Sequence, residues 1–317
     1  GEWGGGCARV GARETSAVMR LLSDFDGVWT YPDLEGEAQR VALEQAFLQL
    51  LPASEHEAVR AWIEDARATV LREPHRYGWY VNGRVTAFAD EDPFAIHSAV
   101  LHRLGVARET DAFAARLADA IEASGRTLEQ FGGESHFAGV KHVEATRGPA
   151  ITTAAADAGR AMLAGGIDIV VVSNSGTEKL QRWFAHADVP ARVHPEAAPG
   201  ELRLRGAARK FVLEDGPGRV LEVGEATIDV ARPHYEAVLG EEAPDAVVGD
   251  VFSIDLALPL VLKRTQPAWR DVRLFWLVHP YTPERMKRQI ATLAPGEVES
   301  VEGGLAGVAE RLLEIRG

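Results

Sequence analysis

The run Ile167-Asp168-Ile169-Val170-Val171-Val172 constrains the fold more than any other stretch of this chain. It is too β-branched for a helix and too uniformly apolar for a strand with one face in water, so it reads as a strand buried on both sides. Helical signatures flank it. Before it, Pro149 is expected to open a helix with Ile151, Ala154, Ala155, Ala158 and Met162 on one face, stopped by Gly165 and Gly166. After it, Ser175-Gly176-Thr177-Glu178 resembles a capping box for a helix that turns Leu180, Trp183 and Phe184 inward. A doubly covered strand between two helices is the unit of an α/β fold, a doubly wound parallel sheet.

The same grammar recurs along the chain. Met19–Ser23 reads as a short buried strand, and Ala246-Val247-Val248 as another that ends in Gly249-Asp250. Val272–Val278 is a further strand, followed by a helix from Thr282-Pro283-Glu284 through Met286, Ile290 and Leu293. The tail from Leu305 to Leu313 is a final amphipathic helix. Residues 34–147 behave differently, with helical periodicity over Val41–Leu51, Val59–Leu71 (capped by Ser54 with Glu57), Phe94–Leu104 and Phe113–Ile121. An Asn82-Gly83 hairpin signal interrupts them inside Trp79–Val85. The pattern predicts an inserted, mostly α-helical cap domain over residues 34–147, carried by a core of residues 19–33 and 148–317. Glu201–Leu213 and Arg219–Val230 read as strands or a hairpin around Asp215-Gly216-Pro217-Gly218. Residues 1–18 read as a flexible leader, with Met19 as the natural start.

Composition narrows the class of function. Acidic residues outnumber basic ones 47 to 34 in 317 residues, a formal net charge of −13, and no local basic patch offsets it. Such a surface repels phosphate backbones, so no nucleic-acid partner is expected, whereas a small anion held by a local field is. No apolar run approaches the ~20 residues that span a bilayer, so no membrane partner is expected either. The only cysteine, Cys7, cannot form an internal disulfide, which favours a reducing, cytoplasmic setting.

Three strand exits carry polar side chains in order: Asp24 and Asp26, then Ser173 and Asn174, then Asp250 with Asp255 five residues on. In an open parallel sheet, ligands bind outside the carboxyl ends of the strands, where these groups would converge. Carboxylates so close repel unless a proton or a cation sits among them, and a hard-oxygen set of this kind suits Mg²⁺. A basic residue is then needed to hold an anionic group. Lys179 reads as a solvated surface lysine. His97, His102, His136 and His142 lack the spacing of a helical zinc site and read as structural or exposed.

At these residues the chain resembles the haloacid dehalogenase-like (HAD) hydrolases with a type-1 helical cap. The first motif, an apolar strand followed by Asp-x-Asp-Gly-x-x-Thr, matches Asp24–Thr30; the second, a strand ending in Ser or Thr, matches Ser173; the fourth, Gly-Asp-x-x-x-x-Asp, matches Gly249, Asp250 and Asp255. The third, a Lys or Arg, is where the match is less clean: Arg232, ahead of Pro233, is preferred for that place, with Lys210 as its rival. The resemblance implies that Asp24 is a nucleophile forming an aspartyl-phosphate and that Asp26 is the acid/base. It implies further that Ser173 holds a phosphoryl oxygen and that Arg232 or Lys210 supplies the cation. Mg²⁺ would be bound by Asp24, the Asp26 carbonyl and Asp250, with Asp255 assisting. The implied activity is a Mg²⁺-dependent phosphatase acting on a small phosphorylated metabolite. A phosphomutase, or a non-catalytic protein binding a phosphorylated ligand, would look similar. Because the dehalogenating branch lacks an acid/base at the position of Asp26, hydrolysis of a carbon–halogen bond is disfavoured.

Overall fold

The computed structural model describes residues 18–216 and 218–316, so the predicted leader and Cys7 lie outside the described residues. Along the chain, β1 (Arg20–Ser23) leads into α1 (Asp33–Leu48), α2 (His56–Arg72), the hairpin β2 (Gly78–Val81) and β3 (Arg84–Phe88), α3 (Pro93–Ala107), α4 (Ala112–Ala123) and α5 (Leu128–Arg147). Next come α6 (Thr153–Ala164), β4 (Asp168–Val172), α7 (Thr177–His186), β5 (Ala191–Val193), β6 (Leu202–Arg205), and a second hairpin, β7 (Val220–Val223) with β8 (Ala226–Asp229). The chain closes through α8 (Pro233–Glu242), β9 (Ala246–Gly249), α9 (Ala257–Thr265), β10 (Arg273–Leu277), α10 (Glu284–Ile290), β11 (Glu299–Val301) and α11 (Gly304–Arg316). No helix among the described residues is long and apolar enough to cross a membrane.

Seven strands form one sheet in the order β11-β10-β9-β1-β4-β6-β5, and every pairing is parallel. Alternation along the strands divides the apolar residues between two cores. Leu21, Ile169, Val171, Val248 and Phe275 pack under α6, α7 and α11; Leu22, Val170, Val172, Val247, Leu274 and Trp276 pack under α8, α9 and α10. This double burial is why the strands read as continuous apolar runs. From β1 the sheet grows outward through β4 and β6, then resumes on the other side of β1 with β9, so the direction of winding switches between β1 and β9. The crevice at that switch is where an open α/β sheet takes a ligand.

Several local expectations are corrected. The helix after Pro149 starts only at Thr153, because Thr152 caps it through Ala155 N and Ile151 is drawn into a bridge with Thr30. Ser54 and Glu57 make no capping box; a short 3₁₀ turn, Ala53–Glu55, leads into α2. The second hairpin turns at Gly224-Glu225, further along than Asp215–Gly218. Helix α5 is an addition that periodicity missed, since its glycines dilute the apolar stripe. Gly139 among them lets α5 approach α1 so closely that a Cβ would lie 2.7 Å from the Gln39 Cα.

The inserted segment is helical except for its hairpin, which packs on the core. Phe88 joins the cluster beneath α8 and α9, and Trp79 stacks on Phe211 at 4.5 Å. The entry and exit of the segment are stitched together, with Thr152 N donating to Trp29 O at 2.9 Å beside the Thr30–Ile151 bridge.

Candidate active site

The register of the sheet sets the site. Ser23 lies opposite Val171 in β4 and Val248 in β9, so Asp24, Ser173 and Asp250 emerge at neighbouring strand ends. Asp24 is fixed through its own amide, which donates to Val248 O at 3.0 Å. The chain then turns at Gly27, whose φ of +77° favours glycine and whose absent side chain leaves room for Asp250: a Cβ there would sit 2.0 Å from Asp250 Oδ2. Gly249 does the same for Asp255, since a Cβ would fall 2.3 Å from the Asp255 Cβ. A π-type turn over Phe252–Leu256 aims Asp255 back at the strand end, where its Oδ2 accepts from Val251 N at 3.2 Å.

Asp24, Asp250 and Asp255 are all buried, and each offers a carboxylate oxygen within 4.8 Å of the others. Lys210 Nζ sits among them, 2.6 Å from Asp24 Oδ1 and 2.6 Å from Asp255 Oδ1, with its side chain 2% exposed. Burial, then the neighbouring Asp255, pushes the Asp24 carboxyl up to about 8, with Lys210 pulling against them. Burial and the same crowd, Asp255 first, push Asp250 well above the carboxylate range. For Lys210, burial pulls the ammonium down, but Asp24 and Asp255 outweigh it and hold it above its ordinary range. One ammonium cannot balance three buried carboxylates, so a proton or a cation must supply the difference.

These residues fit a divalent cation. Asp250 Oδ1 is buried without a hydrogen-bond partner, while its Oδ2 accepts from Tyr281 OH at 2.8 Å. An orphaned, crowded oxygen set of this kind matches the hard-ligand preference of Mg²⁺.

Lys210, not the preferred Arg232, is the base the structure brings to the carboxylates. The loop Gly206–Lys210 is laced to the end of β4: Ala207 N donates to Ser175 O, Ala208 N to Ser173 O, and Lys210 N to Asn174 Oδ1, at 2.8–2.9 Å. Ala207 and Arg209 take φ of +52° and +53°, a conformation that non-glycine residues hold only when their surroundings enforce it. Arg232 is fully buried nearby, with a different task. Its guanidinium donates to Thr86 Oγ1 and Thr86 O, both at 2.6 Å, to Lys210 O at 2.8 Å and to Ser253 O at 3.1 Å. It thus binds the inserted hairpin to the Lys210 loop and to the turn between Asp250 and Asp255, and burial pulls it down to about 10.

Asp26 stands apart from the three clustered carboxylates. Its Oδ2 accepts from Ser175 Oγ at 2.9 Å, while its Oδ1 is buried without a hydrogen-bond partner. The predicted capping box is corrected here: α7 starts from Gly176 with no side-chain cap, because the Ser175 hydroxyl is committed to Asp26. Ser173 is buried at the end of β4, its Oγ accepting from Ser175 N at 3.0 Å. Lys179 is likewise corrected, being a partly buried residue 3.6 Å from Asp26 Oδ1 and 2.9 Å from Glu35.

Sequence reasoning also missed a frame of supporting residues. His279 Nε2 donates to Gly27 O at 2.7 Å and stacks on Tyr281, so the exit of β10 holds both the Gly27 turn and Asp250. Tyr235 OH donates to Asp255 O at 2.9 Å. From the inserted segment, Glu91 accepts from the Ser253 hydroxyl and Asp92 accepts from Phe94 N at 2.9 Å, both carboxyls buried and pushed by burial to about 7. Ordinary residue types outside any strand-end pattern carry these contacts, and only the His279–Tyr281 placement just after a strand hinted at them. The histidines expected to be structural or exposed include His97, buried against Gly132 O at 3.1 Å inside the insert.

No family model matches the chain, and no curated protein matches it. Solved structures do. A 2-haloacid dehalogenase from Pseudomonas syringae aligns at 14% identity over 94% of this chain and 99% of its own, with a TM-score of 0.41. A protein from Bacillus subtilis described as a HAD-hydrolase bound to magnesium aligns at 11% identity over 94% and 98%, with a TM-score of 0.41. A haloacid dehalogenase-like family hydrolase from Xanthomonas campestris aligns at 13% identity over 94% and 97%, with a TM-score of 0.42. Agreement this loose carries no argument about chemistry.

Proposed function

We propose that the chain is a HAD-type hydrolase, a Mg²⁺-dependent phosphatase acting on a small phosphorylated metabolite through Asp24. One observation carries the reading: Asp24, Asp250 and Asp255 converge at the winding switch of the sheet with Lys210 bridging Asp24 and Asp255, while Asp26, two residues after Asp24, keeps one oxygen free of hydrogen bonds. In this reading an Asp24 oxygen forms a bond to phosphorus as the ester P–O bond breaks, and the departing ester oxygen takes a proton from Asp26. Water, giving its proton to Asp26, then attacks phosphorus, and Asp24 leaves as a carboxylate. Ser173 and Lys210 hold the phosphoryl oxygens, and Lys210 keeps Asp24 aimed. Asp24, Asp250 and the Asp26 carbonyl, with Asp255 assisting, would hold Mg²⁺, which when bound offsets the charge of phosphate and carboxylates together.

The retained Asp26 favours phosphoryl transfer over carbon–halogen hydrolysis, because a halide leaves without a proton and an alkoxide does not. The test is a panel of phosphomonoesters with Mg²⁺, assayed for inorganic phosphate. Release by the wild type, lost in Asp24→Asn with the far-ultraviolet spectrum unchanged, supports the reading. Turnover of 2-haloacids in its place, or an isomerised ester with no free phosphate, overturns it.

A further inference from the structure

Lys179 lies outside every strand-end motif, yet its side chain is only 12% exposed where the inserted segment meets the core. Its ammonium faces three things at once. Glu35, in the first turn of α1, accepts at 2.9 and 3.1 Å; Asp26 Oδ1 lies at 3.6 Å; and the Trp183 ring lies beneath at 4.5 Å from its centre. Ser175 Oγ, 3.5 Å from the same nitrogen, donates to the other Asp26 oxygen. The Asp26 carboxyl is therefore gripped asymmetrically. Oδ2 is tied by a hydroxyl, and Oδ1 is faced by a cation yet keeps its hydrogen-bonding capacity free. A second contact of the same kind lies further along α7, where Arg182 and Trp183 Nε1 both donate to Glu144 of α5, at 2.9 and 3.1 Å. Helix α7 thus receives both helices that bound the insert.

We infer that Lys179 is a positioning residue for Asp26, held in place by Glu35, so that seating the inserted segment on α7 aims the acid at the departing ester oxygen. The inference rests on the phosphatase reading and concerns placement. An ammonium wedged between Glu35 and Asp26 fixes the rotation of the Asp26 carboxyl, with Glu35 the nearer of the two anions. Up to the first phosphoryl transfer, a misaimed Asp26 slows only a bond cleavage that needs a proton on the leaving oxygen.

Leaving-group dependence tests this directly. The ratio kcat/KM reports the steps through the first phosphoryl transfer, which an alkyl phosphate passes only with protonation and p-nitrophenyl phosphate passes without it. Lys179→Met is expected to lower kcat/KM for an alkyl phosphate by roughly 10- to 100-fold. For p-nitrophenyl phosphate the expected drop is under about threefold, since that leaving group draws little on general acid catalysis. Glu35→Gln should repeat the pattern at smaller amplitude, and Lys179→Arg should restore most of the loss. Equal losses on both esters, or none on either, overturn the inference. If the wild type releases phosphate from no ester, the phosphatase reading fails, and the contact is judged in the resting protein. There, urea midpoints of Lys179→Met, Asp26→Asn and their combination must shift non-additively; additive shifts overturn it.

Discussion

The two ends of the central sheet carry charge in opposite ways. Where β1 and β4 begin, Arg20 and Arg203 both pair with Asp168, at 2.7 and 2.8 Å, and Arg203 also reaches Glu242 at 2.7 Å. Arg205 pairs with Glu241 at 2.8 Å, so arginines and carboxylates alternate and every cation has its anion. Where β1 and β9 end, three buried carboxylates crowd together and one lysine reaches two of them, Asp24 and Asp255. A balanced network is what structure alone requires. An imbalance is tolerated only where something else is meant to enter, because the crowding raises the energy of the resting site and the arrival of a cation lowers it again.

Breaking each end separately sharpens this contrast. The largest effect is expected from Asp24→Asn, which should cut turnover by roughly 10⁴-fold or more while the protein still folds. Lys210→Met comes next, with an activity loss on the order of 10²-fold or more in steady-state kinetics. Arg232→Met should instead be read in denaturant. Four carbonyl and hydroxyl oxygens lose their donor in a dry site, which costs about 3 kcal/mol, and the folded fraction should lose less activity than Lys210→Met.

A smaller effect is expected with pH. Buried Glu91 is pushed from an ordinary value of 4.5 to about 7, so the folded protein binds its proton more tightly than the unfolded chain does. The stability it contributes is full below pH 4.5 and is lost as pH rises through about 7. Unfolding at pH 5 and pH 8 should differ by on the order of 2 kcal/mol from this group, and Glu91→Gln should remove that part. At the balanced end, Arg203→Met takes one donor from buried Glu242 and should cost on the order of 1–3 kcal/mol while leaving turnover unchanged. A large activity loss there would erase the distinction between the two ends.

Much of this architecture was legible in the residues. Strands buried on both faces announce themselves by β-branched runs, and Asp24, Ser173 and Asp250 each follow such a run, so their convergence follows from parallel pairing. Lys210 was harder to choose because a loop delivers it, and loops carry no periodicity. Arg232 was the more attractive candidate since Arg-Pro at a helix start is a recognisable local pattern, yet the pattern says nothing of which way the side chain points. Lys179 illustrates the same limit. A lysine near a helix start looks solvated until a separate helix, α1, is packed over it. Contacts between segments far apart in the chain, such as Glu91 with Ser253, leave no trace in either segment alone.

The inserted segment is fastened to the core at several places: the paired crossings at Thr30 and Ile151, the contacts of Glu35 and Glu144 with α7, and the hairpin side through Thr86 and Glu91. A body held at so many points has no free hinge. Any gap that admits a substrate must therefore open by parting one of these contacts. How bulky a molecule can enter is then decided by how many of them give way together, ahead of any bond-making step.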